Sequence, residues 1–236
     1  MKRSILLVFA HPDDESFGVA GTAAKYSRQG VAVDLVCATR GEKGTRLDVP
    51  DNMDTGTARE AELRAAAAII GIRAIHFLGY IDGELEKANP DEVTGKVLAI
   101  MEKLQPEVVI TFGPDGITGH PDHIAISRAA TRAFEILRQQ VTRPRKLYYH
   151  ILPDSAVPDA SELGVTTRPD EQVTTTINIS DYLDIKIRAV AAHRSQQDAR
   201  DFVEMLKQSQ DSSFSTREFF YLINASDSRK ETDLFS

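Results

Sequence analysis

Apolar runs of strand length recur along the chain at Ser4–Ala10, Val31–Thr39, Ala74–Leu78, Glu107–Phe112 and Lys146–Leu152. Four intervening stretches, near Glu15–Gln29, Thr57–Ile70, Asp91–Leu104 and Asp122–Gln139, carry apolar residues at the spacing of a helix that buries one face. The first run, Ile5 to Phe9, is continuous in apolar side chains, as a strand buried on both faces must be. The alternation predicts βαβ units with right-handed crossovers. The expected architecture is a Rossmann-like three-layer α/β/α fold around a mainly parallel sheet.

Beyond Pro153 the pattern loosens. A polar stretch, Asp154–Gln172, precedes a threonine-rich strand candidate at Val173–Ile179; helices are expected near Asp181–Ser195 and Ala199–Gln208, and a last strand at Glu218–Ile223. At 236 residues, 42% of them hydrophobic, the chain is long enough for one large α/β core. We expect a single domain over residues 1–225, with Asp154–Gln172 a surface excursion inside it, and a polar tail over 226–236 that frays.

A net charge of −7 argues against a binder of phosphate backbones, so nucleic acid is not an expected partner. The single cysteine, Cys37, allows no intramolecular disulfide, and within VDLVCAT it reads as a small core residue. No apolar run approaches the roughly 18 residues of a membrane span, and the residues after Met1 enter a strand without a secretory signal. The expectation is a cytoplasmic protein without membrane insertion, with its oligomeric state open and a homo-oligomer compatible with it.

Where the first predicted strand ends, His11, Asp13, Asp14 and Glu15 fall within five positions. In a doubly wound sheet this is where ligands bind, beyond the carboxyl ends of the strands. A dinucleotide site would place G-x-G-x-x-G here, but Gly18 and Gly21 come after the acids, whose charge would repel a pyrophosphate. The acids alone have an ordinary explanation: Asp13 or Asp14 capping the helix and Glu15 complementing its dipole, each worth about 0.5–2 kcal/mol. Capping leaves His11 unexplained. Imidazole nitrogen and carboxylate oxygen are ligand types of zinc and iron. A second cluster, GHPDH (119–123), follows the strand ending at Phe112, and parallel strands bring their carboxyl ends to one edge. Two imidazoles and one carboxylate sharing a metal, with water completing an open site, is the predicted arrangement.

At these residues the chain resembles the LmbE-like superfamily, the PIG-L-type metal-dependent N-acetylglucosaminyl deacetylases. That superfamily includes enzymes of mycothiol, bacillithiol and glycosylphosphatidylinositol biosynthesis. The likeness rests on AHPDDE (10–15) and GHPDH (119–123), with weaker support from TRGEKG (39–44), the RExE of Arg59 to Glu62, LGYIDG (78–83) and KIRAVAAHRSQ (186–196). It implies His11, Asp14 and His123 as metal ligands, Asp13 as general base, His120 as the group assisting at the carbonyl oxygen or leaving nitrogen, and Asp122 as the residue orienting or tuning His120. Zinc is the metal the resemblance implies, with Fe(II) an alternative that the ligand set also suits. An amino-sugar substrate follows from the same resemblance, with Arg59 and Asp82 on the sugar.

Each of the outer residues also has a structural reading. Arg59 could pair with Glu60 or Glu62, Asp82 could form an ordinary turn with Gly83, and His193, a third candidate on the substrate side, could simply end a helix. His76 and His150 sit in predicted strands and read as packing residues. In amide hydrolysis Asp13 would act as the free base beside Asp14, and a protonated His120 would donate to the oxyanion. Two rival readings stand beside the deacetylase: an amidase of another small amide, such as a thiol conjugate, and a non-catalytic metal- or nucleotide-binding module. A binding-only site needs neither Asp13 nor His120. The stretch HPDDESFGVAGT is closer to the bacillithiol type than to the mycothiol type.

Overall fold

The computed structural model of the chain describes residues 3–140, 144–223 and 230–236. Strand β1 (Ser4–Phe9) is buried from Ile5 onward, with no exposure at Leu6, Leu7 or Val8, because helices cover both of its faces. Then follow α1 (Asp14–Arg28), β2 (Ala32–Cys37), α2 (Thr55–Ile70), β3 (Ala74–Phe77), α3 (Pro90–Leu104), β4 (Val108–Phe112), α4 (Pro121–Arg138) and β5 (Lys146–Ile151). The five strands pair in parallel in the order β3-β2-β1-β4-β5, each within two residues of the run that predicted it. The chain leaves β1 toward β2 on one side and β4 toward β5 on the other. This reversal between adjacent strands opens a crevice at their carboxyl ends.

The remaining elements are β6 (Thr175–Asn178), α5 (Leu183–Ala191), α6 (Gln197–Gln208), the short α7 (Ser213–Thr216) and β7 (Arg217–Leu222). β7 runs antiparallel to β5, and β6 antiparallel to β7, completing one seven-stranded sheet. The helix expected to reach Ser195 stops at Ala191. There the chain turns so that the Ser195 N–H and hydroxyl donate to Glu62, at 2.9 and 2.7 Å. The polar tail does not fray over the part described. The Thr176 N–H donates to Glu231 O (3.0 Å), that of Glu231 to Thr174 O (2.8 Å), and Leu234 is fully buried. Residues 226–229 of the expected tail lie outside the described residues. Among the described residues, no helix is long and apolar enough to cross a membrane.

Helix α1 breaks at Val19 (φ −137°, ψ 16°). The amides of Gly21 and Thr22 donate to the Glu218 carboxylate at 3.1 and 2.7 Å, and Lys186 pairs with the same carboxylate at 2.8 Å. Gly21 permits this approach, since a Cβ there would lie 2.5 Å from Ile179. Nearby, His150 of β5 is buried against Gly18. Burial and the Lys186 charge depress its pKa to about 3.

The unfolded chain therefore binds a proton near pH 6.5 that the folded chain refuses until about pH 3. Stability is fully present above pH 6.5 and is lost as pH falls toward 3, at up to about 1.4 kcal/mol per pH unit. His150→Met, which fills a similar volume, is expected to lack this component. Urea unfolding of both proteins at pH 7, 5 and 4 checks it: parallel pH profiles would contradict a neutral, buried His150.

Candidate metal centre

Between β1 and α1 the chain turns through Pro12 and Asp13. Asp13 has φ 106°, a left-handed conformation that costs a non-glycine residue about 1–3 kcal/mol. Its carboxylate does not cap the helix. It accepts instead from the Arg59 guanidinium at 2.8 Å, with both side chains buried. Asp14 does not cap either: its Oδ2 accepts from the Ala10 and His11 amides (3.0 and 2.8 Å), while Oδ1 faces His123 Nε2 at 3.3 Å. Glu15 accepts from the Asp13 amide (3.3 Å) and from the Ser16 hydroxyl (2.6 Å), with His193 behind it at 3.4 Å.

The two histidines from the separate turns meet. His11 Nε2 lies 3.1 Å from Asp82 and 3.3 Å from Asp122, so it carries the ring proton and donates it to carboxylate. His123 Nδ1 likewise donates to the Gly116 carbonyl at 3.0 Å. That leaves His11 Nδ1 and His123 Nε2 presenting lone pairs to each other across 3.1 Å, with Asp14 Oδ1 3.3 Å from His123 Nε2 and Asp14 Oδ2 3.8 Å from His11 Nδ1. Facing lone pairs at this distance need a positive charge between them, either a shared proton or a metal ion. Donors around a tetrahedral zinc, each about 2.0–2.1 Å from it, are ~3.3 Å apart, which these separations fit.

The surrounding charge favours the same occupant, because Asp13, Asp14, Asp82 and Asp122 are all buried here, and among the described residues the one buried guanidinium, Arg59, pairs with Asp13 and Asp82 alone. Burial opposes the His11 imidazolium, yet Asp122 and Asp82 outweigh it and lift its pKa to about 10. Burial also opposes the charged form of His123, where Asp14 prevails and raises the pKa. Asp14, despite burial, is held well below the usual carboxylate range by His123 and His11. The site thus takes up a proton where a dication would otherwise neutralise it. Among the described residues, His11–His120–His123 and His11–Asp82–Asp122 also have donor atoms within 4.8 Å of one another. The second set uses His11 Nε2, but Asp122 is already engaged by the amides of Gly83, Leu85 and Glu86, and Asp82 by that of Lys43. The lone-pair side of His11 is the better fit.

His120 caps α4: its Nδ1 accepts from the Asp122 N–H at 3.1 Å. The neutral ring therefore bears its proton on Nε2. Burial and the neighbouring His11 and His123 lower its pKa, so the structure favours a neutral donor over the imidazolium expected from sequence. The Asp122 carboxylate, expected to orient His120, folds back onto the 83–86 loop and His11 instead. Its hydrogen bond to His120 comes from the backbone N–H, while the carboxylate charge acts to raise the His120 pKa.

Arg59 is buried and donates to Pro12 O (2.6 Å), Asp13 (2.8 Å) and Gly41 O (3.1 Å). It pairs with neither Glu60 nor Glu62; Glu60 pairs with Arg40 and Arg64, and Glu62 holds Ser195. Gly41 leaves room for the guanidinium, since a Cβ there would sit 2.4 Å from it. Burial raises the Asp13 pKa, Arg59 pulls it down, and the balance is about 6. Asp82 does turn at Gly83, but its carboxylate faces His11. His193 has no exposure and lies against Ser16 (3.2 Å) and Glu15, away from the main cavity. Sequence reasoning missed the work of Glu15, Glu62, Lys186 and Glu218. Lys186 lies in the late KIRAVAAHRSQ segment, which was the available signal.

Residues 6–134 match the family described as PIG-L, GlcNAc-PI de-N-acetylase. A 1D-myo-inositol 2-acetamido-2-deoxy-alpha-D-glucopyranoside deacetylase of Acidothermus cellulolyticus is 37% identical over 83% of this chain and 80% of that protein. A probable N-acetyl-alpha-D-glucosaminyl L-malate deacetylase 2 of Bacillus cereus is 36% identical over 84% of this chain and 86% of its own. Among solved structures, GalB, the 4-carboxy-2-hydroxymuconate hydratase from Pseudomonas putida KT2440, has a TM-score of 0.72 at 21% identity, over 95% of this chain and 98% of that one. That likeness shows the fold alone, and the same fold there carries a different reaction.

Proposed function

The chain belongs to the PIG-L, or GlcNAc-PI de-N-acetylase, family, and on that premise we propose that it is a metal-dependent hydrolase that removes the acetyl group from an N-acetylglucosamine conjugate. The observation that carries the reading is the pair of imidazole lone pairs of His11 and His123, 3.1 Å apart beside Asp14, with Asp13 free of metal duty next to them. Zinc held by His11, Asp14 and His123 would lower the pKa of water from 15.7 toward about 7 and polarise the acyl oxygen; Fe(II) suits the same donors.

The chain's own residues account for the proton traffic. Asp13 takes a proton from the attacking water as the water oxygen bonds to the acyl carbon. The C–N bond then breaks, and the proton passes to the departing nitrogen, giving acetate and a free amine. A base with a pKa near 6 is ionised at neutral pH, yet holds a proton well enough to return it. The His120 Nε2–H donates to the developing oxyanion; such a donor is worth about 3–4 kcal/mol. Asp82 and Asp122 act through His11 by fixing its tautomer, Arg59 acts through Asp13, and His193 acts through Glu15.

The test is release of acetate and amine, in equal amounts, from the inositol- and malate-linked N-acetylglucosamines that the relatives' names specify. We expect turnover of at least one N-acetylglucosamine conjugate by the zinc-loaded protein. Its failure on every such conjugate would sink the reading.

A further inference from the structure

The cavity at the centre has a volume of about 840 Å³, toward the upper end of pockets that hold drug-sized ligands. Its lining has two chemistries. The strand ends and their turns bring one set of charged groups, and Lys186, Asp198, Asp201, Arg217 and Glu218 add others, whereas Phe17 of α1, Phe202 and Met205 of α6 and Phe214 of α7 make an apolar wall among them. Phe17 lies three residues beyond Asp14 on the same helix. Its ring centroid is 4.8 Å from that of Phe202, which is 5.9 Å from that of Phe214. The three rings form one contiguous strip that begins on the helix carrying Asp14. All three are only half-buried, and Leu163, from the 154–172 excursion, also lines the cavity while 50% exposed. Apolar side chains left in water next to a reaction centre are those that a ligand covers.

Resting on the deacetylase reading, we infer that the substrate is an N-acetylglucosamine conjugate whose aglycone is apolar, an alkyl or aryl group seated against Phe202, Met205 and Phe214. The two relatives' names share an acetylated glucosamine and differ in the aglycone, inositol in one and malate in the other. The aglycone is therefore the part in which these two relatives differ, and the side chains of Phe202, Met205 and Phe214 offer no hydrogen bond to a polyol or a dicarboxylate.

The experiment compares kcat/KM for octyl and methyl 2-acetamido-2-deoxy-α-D-glucopyranoside, below the concentration at which the octyl compound forms micelles. We expect the octyl glycoside to be at least tenfold better, chiefly through KM. Phe202→Ser is expected to pull that ratio toward one. Leu163→Ser, at an exposed position where folding is not at stake, is expected to do the same. A wild-type ratio near one, or a preference for the malate conjugate, overturns the inference and leaves the deacetylase standing. Acetate from no conjugate overturns the deacetylase. Calorimetric binding of the two glycosides then decides the subsite alone: equal affinities refute it, and tenfold tighter octyl binding upholds it.

Discussion

His123→Ala protein is expected to purify with little bound zinc, to bind added zinc more than about 100-fold more weakly than wild type, and to release no acetate above background. The estimate is a lower bound. Losing only an outer hydrogen-bond partner of a metal ligand already costs about 10–100-fold in affinity, and in the proposed centre His123 would supply a ligand nitrogen itself. The substitution removes one of the two lone pairs that face each other across 3.1 Å, and with it the reason a positive charge must sit there. It leaves the other donor set, His11–Asp82–Asp122, untouched. Metal analysis of the purified variant therefore separates the two placements. Unchanged zinc content would move the ion to the Nε2 side of His11, and Asp82→Ala would then be the variant that empties the site.

The parts legible in the sequence were those that depend on local pattern or on strand order. Ile5 to Phe9 reads as a buried strand because both faces are covered, and the two histidine turns could be brought together because β1 and β4 are parallel strands in one sheet. What escaped depends on partners far away in sequence. Val19 carries no signal of a broken helix; the break is held by Glu218, about 200 positions on. The tail reads as polar, but among its described residues Leu234 buries fully while Glu231 pairs with the edge strand. Asp122 was assigned to its neighbour His120, whereas the N-cap geometry gives His120 the backbone amide and turns the carboxylate toward His11. Arg59, placed on the sugar by the resemblance and beside Glu60 or Glu62 by its neighbours in sequence, sends its guanidinium inward to Pro12 O, Asp13 and Gly41 O, contacts that no local pattern announces.

Asp13→Asn is expected to keep about one metal per chain while kcat falls by roughly 10²–10⁴, the range a positioned general base supplies. Asparagine is the informative replacement for two reasons. It tolerates positive φ better than most residues, so the backbone at φ 106° is kept. It also leaves an amide oxygen for Arg59, which retains Pro12 O and Gly41 O as partners. Asp13→Ala would lower activity too, but it leaves the buried Arg59 guanidinium with the more distant Asp82, 3.8 Å away, in place of its 2.8 Å partner, at a cost of up to about 3–5 kcal/mol. Lost stability and lost catalysis would then be indistinguishable. Because Asp13 contributes no donor to the His11–Asp14–His123 set, metal content should separate it cleanly from the ligand variants. A kcat within tenfold of wild type at full metal loading would remove Asp13 from the proton path. His120, whose Nε2–H the α4 cap fixes, would then be the group left to move the proton.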